Sequence, residues 1–244
     1  MNSDAIEKLQ AMLDKSRCIV FFGGAGVSCE SGIPDFRSED GLYRQTYKYP
    51  PETILSRSFY ESHRAEFFEF YKAKMLCLSA RPNAAHKKLA ALEKAGALTA
   101  VVTQNIDGLH QLAGSKNVLE LHGSVHRNYC TRCGASYPAE FVQKAAGEPR
   151  CACGGPIKPD VVLYGESLDL ATMKKAVSAI ARADMLIVGG TSLAVYPAAG
   201  LLRYYQGQRL TLINKSATPL DKQADLCITA PIGEVFSQIR VKTE

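Results

Sequence analysis

The stretch FFGGAGVSCESGIPDFRS, residues 21–38, opens like a phosphate-binding turn. Gly24, Ala25 and Gly26 fit the first half of the dinucleotide fingerprint G-x-G-x-x-G, whose glycines let backbone approach a pyrophosphate. The third glycine position holds Cys29. The fingerprint also wants an acidic residue about 20 positions on, at the end of a second strand. The corresponding stretch here, DGLYRQTYKYPPE, is not strand-like. The turn must therefore serve a nucleotide chemistry that dispenses with the rest of the usual unit.

Three other segments end apolar runs on polar residues. VVTQNIDGLH carries Gln104, Asn105, Asp107 and His110; LELHGSVH carries His122 before Gly123; IVGGTSLAVYP carries Gly189, Gly190, Thr191 and Ser192. Open α/β sheets bind ligands outside the carboxyl ends of their strands. One such polar end is most simply a turn or cap; several at the same edge argue for a site. His122 is the candidate general base, because an imidazole of ordinary pKa, about 6.5, takes a proton near neutrality. The glycine beside it lets a substrate come close. His63, His86, His110 and His126 read as ordinary, partly buried histidines.

The eight cysteines divide in two. Cys130, Cys133, Cys151 and Cys153 have the spacing C-x2-C-x17-C-x-C, one residue short of the zinc-ribbon pattern in its second half. Four thiolates complete a tetrahedral zinc and leave no open position, so such a site is structural. Gly134, Gly154 and Gly155 supply the tight turns. Cys18 and Cys227 lie in strand-like runs and are expected to be small core residues.

The elements that must position these groups follow from apolar patterning. Runs at 18–23, 98–105, 117–123, 184–191, 210–214 and 226–230 are rich in Val, Ile and Leu with little alternation, as in strands covered on both faces. Helical periodicity lies between many of them, at 84–97, 171–183 and 198–205. An N-terminal helix carries Ile6, Leu9, Met12 and Leu13 on one face, with Asp4 and Glu7 as a capping box. Strands alternating with helices predict an α/β fold, a doubly wound, Rossmann-like parallel sheet. Residues 34–80 and 126–158 interrupt the rhythm. The predicted division is a nucleotide-binding domain of 1–37, 81–125 and 159–244, with a smaller helical and zinc-ribbon module of 38–80 and 126–158 inserted into it.

Composition narrows the function classes. The 244 residues are 46% hydrophobic and 22% charged, with a net charge of +5 spread along the chain. No dense basic stripe predicts specific nucleic-acid binding, and no apolar run approaches the roughly 18 residues of a membrane span. Without a visible secretory signal, and with eight cysteines, a cytoplasmic location is expected.

Taken together, GAGVSCESGIPDFRS, TQNIDGLH, LELHGS, the four cysteines, KPDVVLYGE and GTSLAVYP resemble the sirtuins, the NAD-dependent protein-lysine deacylases. The likeness runs in order from about residue 17 to residue 236. It implies NAD as a consumed cosubstrate, one structural zinc, and acylated lysines in extended protein segments as partners. It also implies a mobile cofactor loop after the glycine turn, which explains the missing second strand.

Residue by residue, the resemblance puts the pyrophosphate on Gly24, Ala25 and Gly26 at a helix start. Cys29 replaces a small polar residue. Phe36 lies at the nicotinamide side and Arg37 in the cofactor loop. Gln104, Asn105, Ile106 and Asp107 form the nicotinamide pocket, with Asn105, Asp107 and His122 catalytic. Gly190, Thr191, Ser192, Asn214 and Ile232 complete the cofactor contacts. Val161, Val162 and Leu163 would receive the peptide as an added strand. Tyr71 and Lys74 match the Tyr-x-x-Arg pair of desuccinylases with lysine in the arginine place. Lysine there favours acetyl over succinyl or malonyl groups, with Tyr71 in the core and Lys74 solvated. The alternatives are a sirtuin-like ADP-ribosyltransferase, a desuccinylase or demalonylase, a dinucleotide-dependent dehydrogenase, and a non-catalytic zinc-ribbon module.

Overall fold

A computed structural model describes residues 3–36, 41 and 47–241. In chain order it contains α1 (Ser3–Asp14), β1 (Ile19–Gly23), α2 (Pro51–Ile54), α3 (Arg57–Ser62), α4 (Arg64–Lys74), α5 (Ala84–Lys94), β2 (Leu98–Thr103), α6 (Leu109–Leu112) and β3 (Val118–Glu120). There follow β4 (Gly123–Cys130), β5 (Ser136–Tyr137), α7 (Ala139–Lys144), β6 (Ile157–Val161), α8 (Leu170–Arg182), β7 (Met185–Gly189), β8 (Leu210–Asn214), β9 (Leu226–Thr229) and α9 (Ile232–Ser237).

Six strands form one parallel sheet in the order β3-β2-β1-β7-β8-β9. This is the doubly wound order of dinucleotide-binding sheets, and the strand order reverses between β1 and β7, where such sheets open a ligand crevice. Successive side chains of a strand point to opposite faces. Ile19 and Phe21 therefore join a cluster with Leu9 of α1, Leu89 of α5 and Phe236 of α9. Val20 and Phe22 join Ala176 and Ile180 of α8 on the other face. Burial on both faces is why these strands read as continuous apolar runs.

The caps of the long helices are local. Asn83 accepts from the N–H groups of Ala85 and His86 at the start of α5, and Asp169 accepts from Thr172 at the start of α8. Two expectations fail here. Because α1 begins at Ser3, Asp4 sits inside the first turn instead of capping it. Residues 198–204 form a 3-10 helix in place of an α-helix.

β4, β6 and β5 make a small antiparallel sheet. A third cluster joins Phe67, Phe68 and Tyr71 of α4 to Val142 of α7, Ile157 of β6 and Cys130. Residues from both interrupting stretches thus share one apolar core. Cys227, expected in the core, is exposed because it lies on the outward face of the edge strand β9, and Cys18 is only half-buried.

Candidate active site

The crevice is built by two turns that press on each other. Gly24 N–H donates to Gly189 O at 3.2 Å and Gly26 N–H to Gly190 O at 2.8 Å. A Cβ at Gly26 would stand 2.9 Å from Gly190 Cα, and one at Gly24 would stand 2.7 Å from Thr191 Cβ. Gly190 itself has φ +61°, a left-handed conformation that costs a side chain. After the turn the chain makes two 3-10 turns, Ala25–Val27 and Cys29–Ser31, and not the α-helix start expected for phosphate binding. The N–H groups of Gly24, Gly26, Val27 and Ser28 bond within the protein. Among the described residues, Ala25 offers the one N–H of this run without an internal acceptor.

Beyond the turn, Cys29 is half-buried, its thiol 3.8 Å from both Ala25 O and Asp35 Oδ2. Burial, and then the Asp35 carboxylate, push its pKa up and keep the thiol protonated. Glu30 accepts from Gly233 N–H at 2.6 Å, tying the 3-10 turn Cys29–Ser31 to the beginning of α9. Phe36 packs at the rim of the aromatic cluster, as does Ile106. Arg37 lies outside the described residues.

The segment after β2 is the most densely connected part of the site. Gln104 donates from its backbone to Gly23 O at 2.9 Å and from its side chain to Thr191 Oγ1 at 3.1 Å, spanning β1 and β7. Asn105 is buried and donates to Ser28 Oγ at 3.1 Å; Ser28 in turn donates to Asp107 Oδ2 at 2.6 Å. The second Asp107 oxygen accepts from Leu109 N–H at 2.9 Å. Ser28 is a site residue that the sequence reading missed. A serine in a glycine-rich turn looks like a turn residue, and its partner is 79 positions away.

His122 closes the site. Its Nδ1 lies 2.9 Å from Gln104 O, and a carbonyl can only accept, so Nδ1 carries the proton and Nε2 keeps its lone pair. Burial lowers the His122 pKa, opposed by that hydrogen bond, which favours the neutral base near pH 7. At the far side of the crevice, Thr191 N–H donates to Asn214 Oδ1 at 2.8 Å, while Asn214 Nδ2 is buried without a partner among the described residues. A buried amide with an idle donor suits a polar ligand placed there. Ser192 is exposed beside it. Ile232 is not at the surface of the crevice: it is buried in the core against Gly189, so a cofactor contact would have to come from its main chain.

The putting-together of the expected peptide strand is different from a free sheet edge. Val161 and Leu163 are buried in the aromatic cluster and Val162 faces the other way. Val162 N–H donates to His122 O at 3.0 Å, Leu163 N–H to Glu166 Oε2 at 2.8 Å, and Leu163 O accepts from Glu166 N–H. The buried Lys158 ammonium donates to Val161 O at 3.0 Å and pairs with Glu166 at 3.1 Å. Added-strand pairing along Val161–Leu163 is therefore mostly pre-empted by internal bonds. These bonds use neither the Val161 N–H nor the Val162 carbonyl.

Tyr71 is fully buried, stacked on Phe67, with no hydrogen-bond partner for its hydroxyl among the described residues, and burial raises its pKa. Lys74 is half-buried over the Tyr47 ring, 5.7 Å from its centroid, instead of fully solvated.

The sulfurs of Cys130, Cys133, Cys151 and Cys153 lie within 4.8 Å of one another, with Cys130–Cys153 at 3.6 Å and Cys133–Cys151 at 3.5 Å. Zinc–sulfur bonds of about 2.3 Å in a tetrahedron put sulfurs about 3.8 Å apart, so the donor set fits zinc. Tyr137 Oη donates to Cys151 Sγ at 3.0 Å, an outer hydrogen bond of the kind that orients a thiolate ligand.

Comparison with known proteins agrees with this geometry. Residues 24–197 match the Sir2 family. The NAD-dependent protein deacetylase of Clostridium acetobutylicum is 58% identical over 97% of this chain and 98% of its own length. That of Clostridium perfringens is 55% identical, again over 97% and 98%. A Sir2 variant solved with a deacetylated peptide and 3′-O-acetyl ADP ribose superposes with a TM-score of 0.88 at 40% identity, covering 96% of each chain. Sir2 bound to acetylated peptide superposes with a TM-score of 0.85 at 38% identity, also covering 96% of each. The chain belongs to the Sir2 family.

Proposed function

We propose that the protein is an NAD-dependent protein-lysine deacetylase whose base is Nε2 of His122. The observation that carries this is the Gln104 carbonyl on His122 Nδ1, which fixes the tautomer beside a crevice at the β1–β7 reversal. The names of its close relatives and the acetylated peptide bound by Sir2 support the substrate class.

NAD is a substrate here. Its pyrophosphate would lie along the Gly24–Gly26 turn, taking the Ala25 N–H, and its adenosine end near Ser192 and Asn214 Nδ2. The nicotinamide ring would sit among Phe36, Asn105, Ile106 and Asp107. The acetyl-lysine amide oxygen attacks the ribose carbon that bears nicotinamide, and nicotinamide leaves. His122 removes a ribose hydroxyl proton, the 2′ oxygen closes on the imidate carbon, and water completes release of lysine and O-acetyl-ADP-ribose. No hydride moves. The chain's own residues orient the ring and hold the proton at a defined atom. Arg37 is placed in the cofactor loop by sequence alone.

The four cysteines hold a structural zinc in this reading. Two modules follow from it: the parallel sheet with its helices, comprising 1–37, 81–125 and 159–244, and the smaller unit of 38–80 and 126–158. Four zinc-ligand cysteines and four others, none of them in a disulfide, suit a reducing, cytoplasmic compartment. Among the described residues no helix is long and apolar enough to cross a membrane.

The test is a product analysis with NAD and an acetylated peptide. Equal amounts of nicotinamide, deacetylated peptide and O-acetyl-ADP-ribose support the reading. Mass added to a protein acceptor would instead show ADP-ribosyl transfer, and NADH would show a dehydrogenase.

A further inference from the structure

Asp107 is held by its side chain through Ser28 and Leu109, as described above. Its main chain has a separate anchor. His126, exposed on β4, places Nε2 2.9 Å from Asp107 O. One residue earlier on the same strand, Val125 N–H donates to Ile106 O at 3.0 Å. Two consecutive carbonyls of the Asn105–Gly108 turn are therefore gripped by two consecutive residues of β4.

The grip is close as well as polar. Gly108 has φ +72°, and a Cβ there would stand 2.7 Å from His126 Cδ2 and 2.9 Å from its Nε2. The Cδ2–Nε2 edge of the imidazole thus presses against Gly108, the left-handed residue that lets the chain reverse between Asp107 and α6. A carbonyl can only accept, so Nε2 is the donor of this bond.

From this juxtaposition we infer that His126 is a positioning residue: it sets the Asp107 turn and thereby the handling of nicotinamide. The inference rests on Asp107 facing the nicotinamide ring, as proposed above. His126 touches neither substrate nor the reacting atoms. It acts through the peptide group that carries Asp107, and β4 links that group to His122, four residues upstream.

The experiment compares His126→Ala, His126→Gln and Asp107→Asn in the full-length enzyme. The readouts are nicotinamide exchange into NAD, inhibition of deacetylation by nicotinamide, and affinity for ADP-ribose, which lacks the ring. Loss of one neutral hydrogen bond is worth about three- to tenfold. His126→Ala should slow exchange and raise the inhibitory nicotinamide concentration by about that factor, with ADP-ribose affinity within about twofold of wild type. Glutamine, whose amide can reach the same carbonyl, should restore most of the loss. If Asp107→Asn disturbs exchange while His126→Ala does not, the inference is wrong and the site assignment stands. If Asp107→Asn leaves exchange unchanged, the assignment of the pocket itself falls. Equal losses of exchange and ADP-ribose affinity in His126→Ala would reduce His126 to a general structural role and overturn the inference.

Discussion

Ser28 and Asp107, 79 residues apart in the chain, share a 2.6 Å hydrogen bond that joins the glycine turn to the segment after β2. The hydroxyl also accepts from Asn105, so one buried oxygen sets two of the three residues assigned to catalysis. Hydrogen bonds to charged groups are worth about 1.5–3 kcal/mol. Ser28→Ala should lower kcat for deacetylation by about ten- to a hundredfold, with ADP-ribose affinity much less affected. Steady-state kinetics and calorimetric titration with ADP-ribose separate the two; a loss confined to ADP-ribose affinity would detach Ser28 from Asp107.

Acyl selectivity follows from the placement of Tyr71 and Lys74. The tyrosine hydroxyl is sealed in the aromatic core, and the lysine ammonium sits over Tyr47. A succinyl carboxylate entering an apolar tunnel would lack a fork-shaped cation, and an unpaired buried charge costs several kcal/mol. On one peptide, kcat/KM for acetyl-lysine should exceed that for succinyl-lysine by more than about tenfold, and Lys74→Arg should narrow the gap. A wild-type preference for succinyl would contradict the account.

Acid stability is set by a pair that the chemistry does not use. His86 and His110 are buried with ring centroids 4.7 Å apart, and three of their four ring nitrogens have no partner among the described residues. Burial lowers the pKa of His86 to about 4, opposed by Asp107, and that of His110 to about 3, aided by His86. Both stay neutral in the folded protein while the unfolded chain takes up protons near the ordinary histidine pKa of about 6.5. Their contribution is fully present above that value and falls as pH drops toward the folded pKa values. Thermal unfolding at pH 7.5, 6, 5 and 4.5 should show a falling Tm, and His110→Phe should flatten the slope below pH 6.5. An unchanged slope would assign the acid sensitivity elsewhere.

The metal makes a further prediction. Structural zinc contributes folding free energy directly. The purified protein should contain about one zinc per chain by four-ligand stoichiometry. Cys130→Ser or strong chelation should lower both zinc content and Tm. Active protein free of metal would remove zinc from this structure.

Much of this molecule is legible in its sequence, for identifiable reasons. The central strands β1 and β7 are buried along their whole length and read as continuous apolar runs, and α5 and α8 announce themselves by periodicity. Gln104, Asn105, Asp107 and His122 stand out as polar residues ending such strands. What is not legible depends on distant partners. Ser28 acquires its role only once folding brings Asp107 to it, and Glu30 meets Gly233 across 203 residues. The main-chain bonds of Val161–Leu163 depend on Lys158 and Glu166, which a local reading takes for surface charges. The 3-10 form of the glycine turn comes from contact with Gly190, which no local propensity encodes.

The central claim is that Nε2 of His122, presented by the Gln104 carbonyl, is the base of an NAD-consuming deacetylation. The most direct measurement compares His122→Ala with wild type in two assays on the same preparation: peptide deacetylation and NAD binding. Loss of a general base commonly costs 10²–10⁴-fold. The account predicts that deacetylation falls by about that factor while NAD affinity stays within a few-fold of wild type, because the glycine turn and Asn214 are untouched. Deacetylation within about twofold of wild type would contradict it.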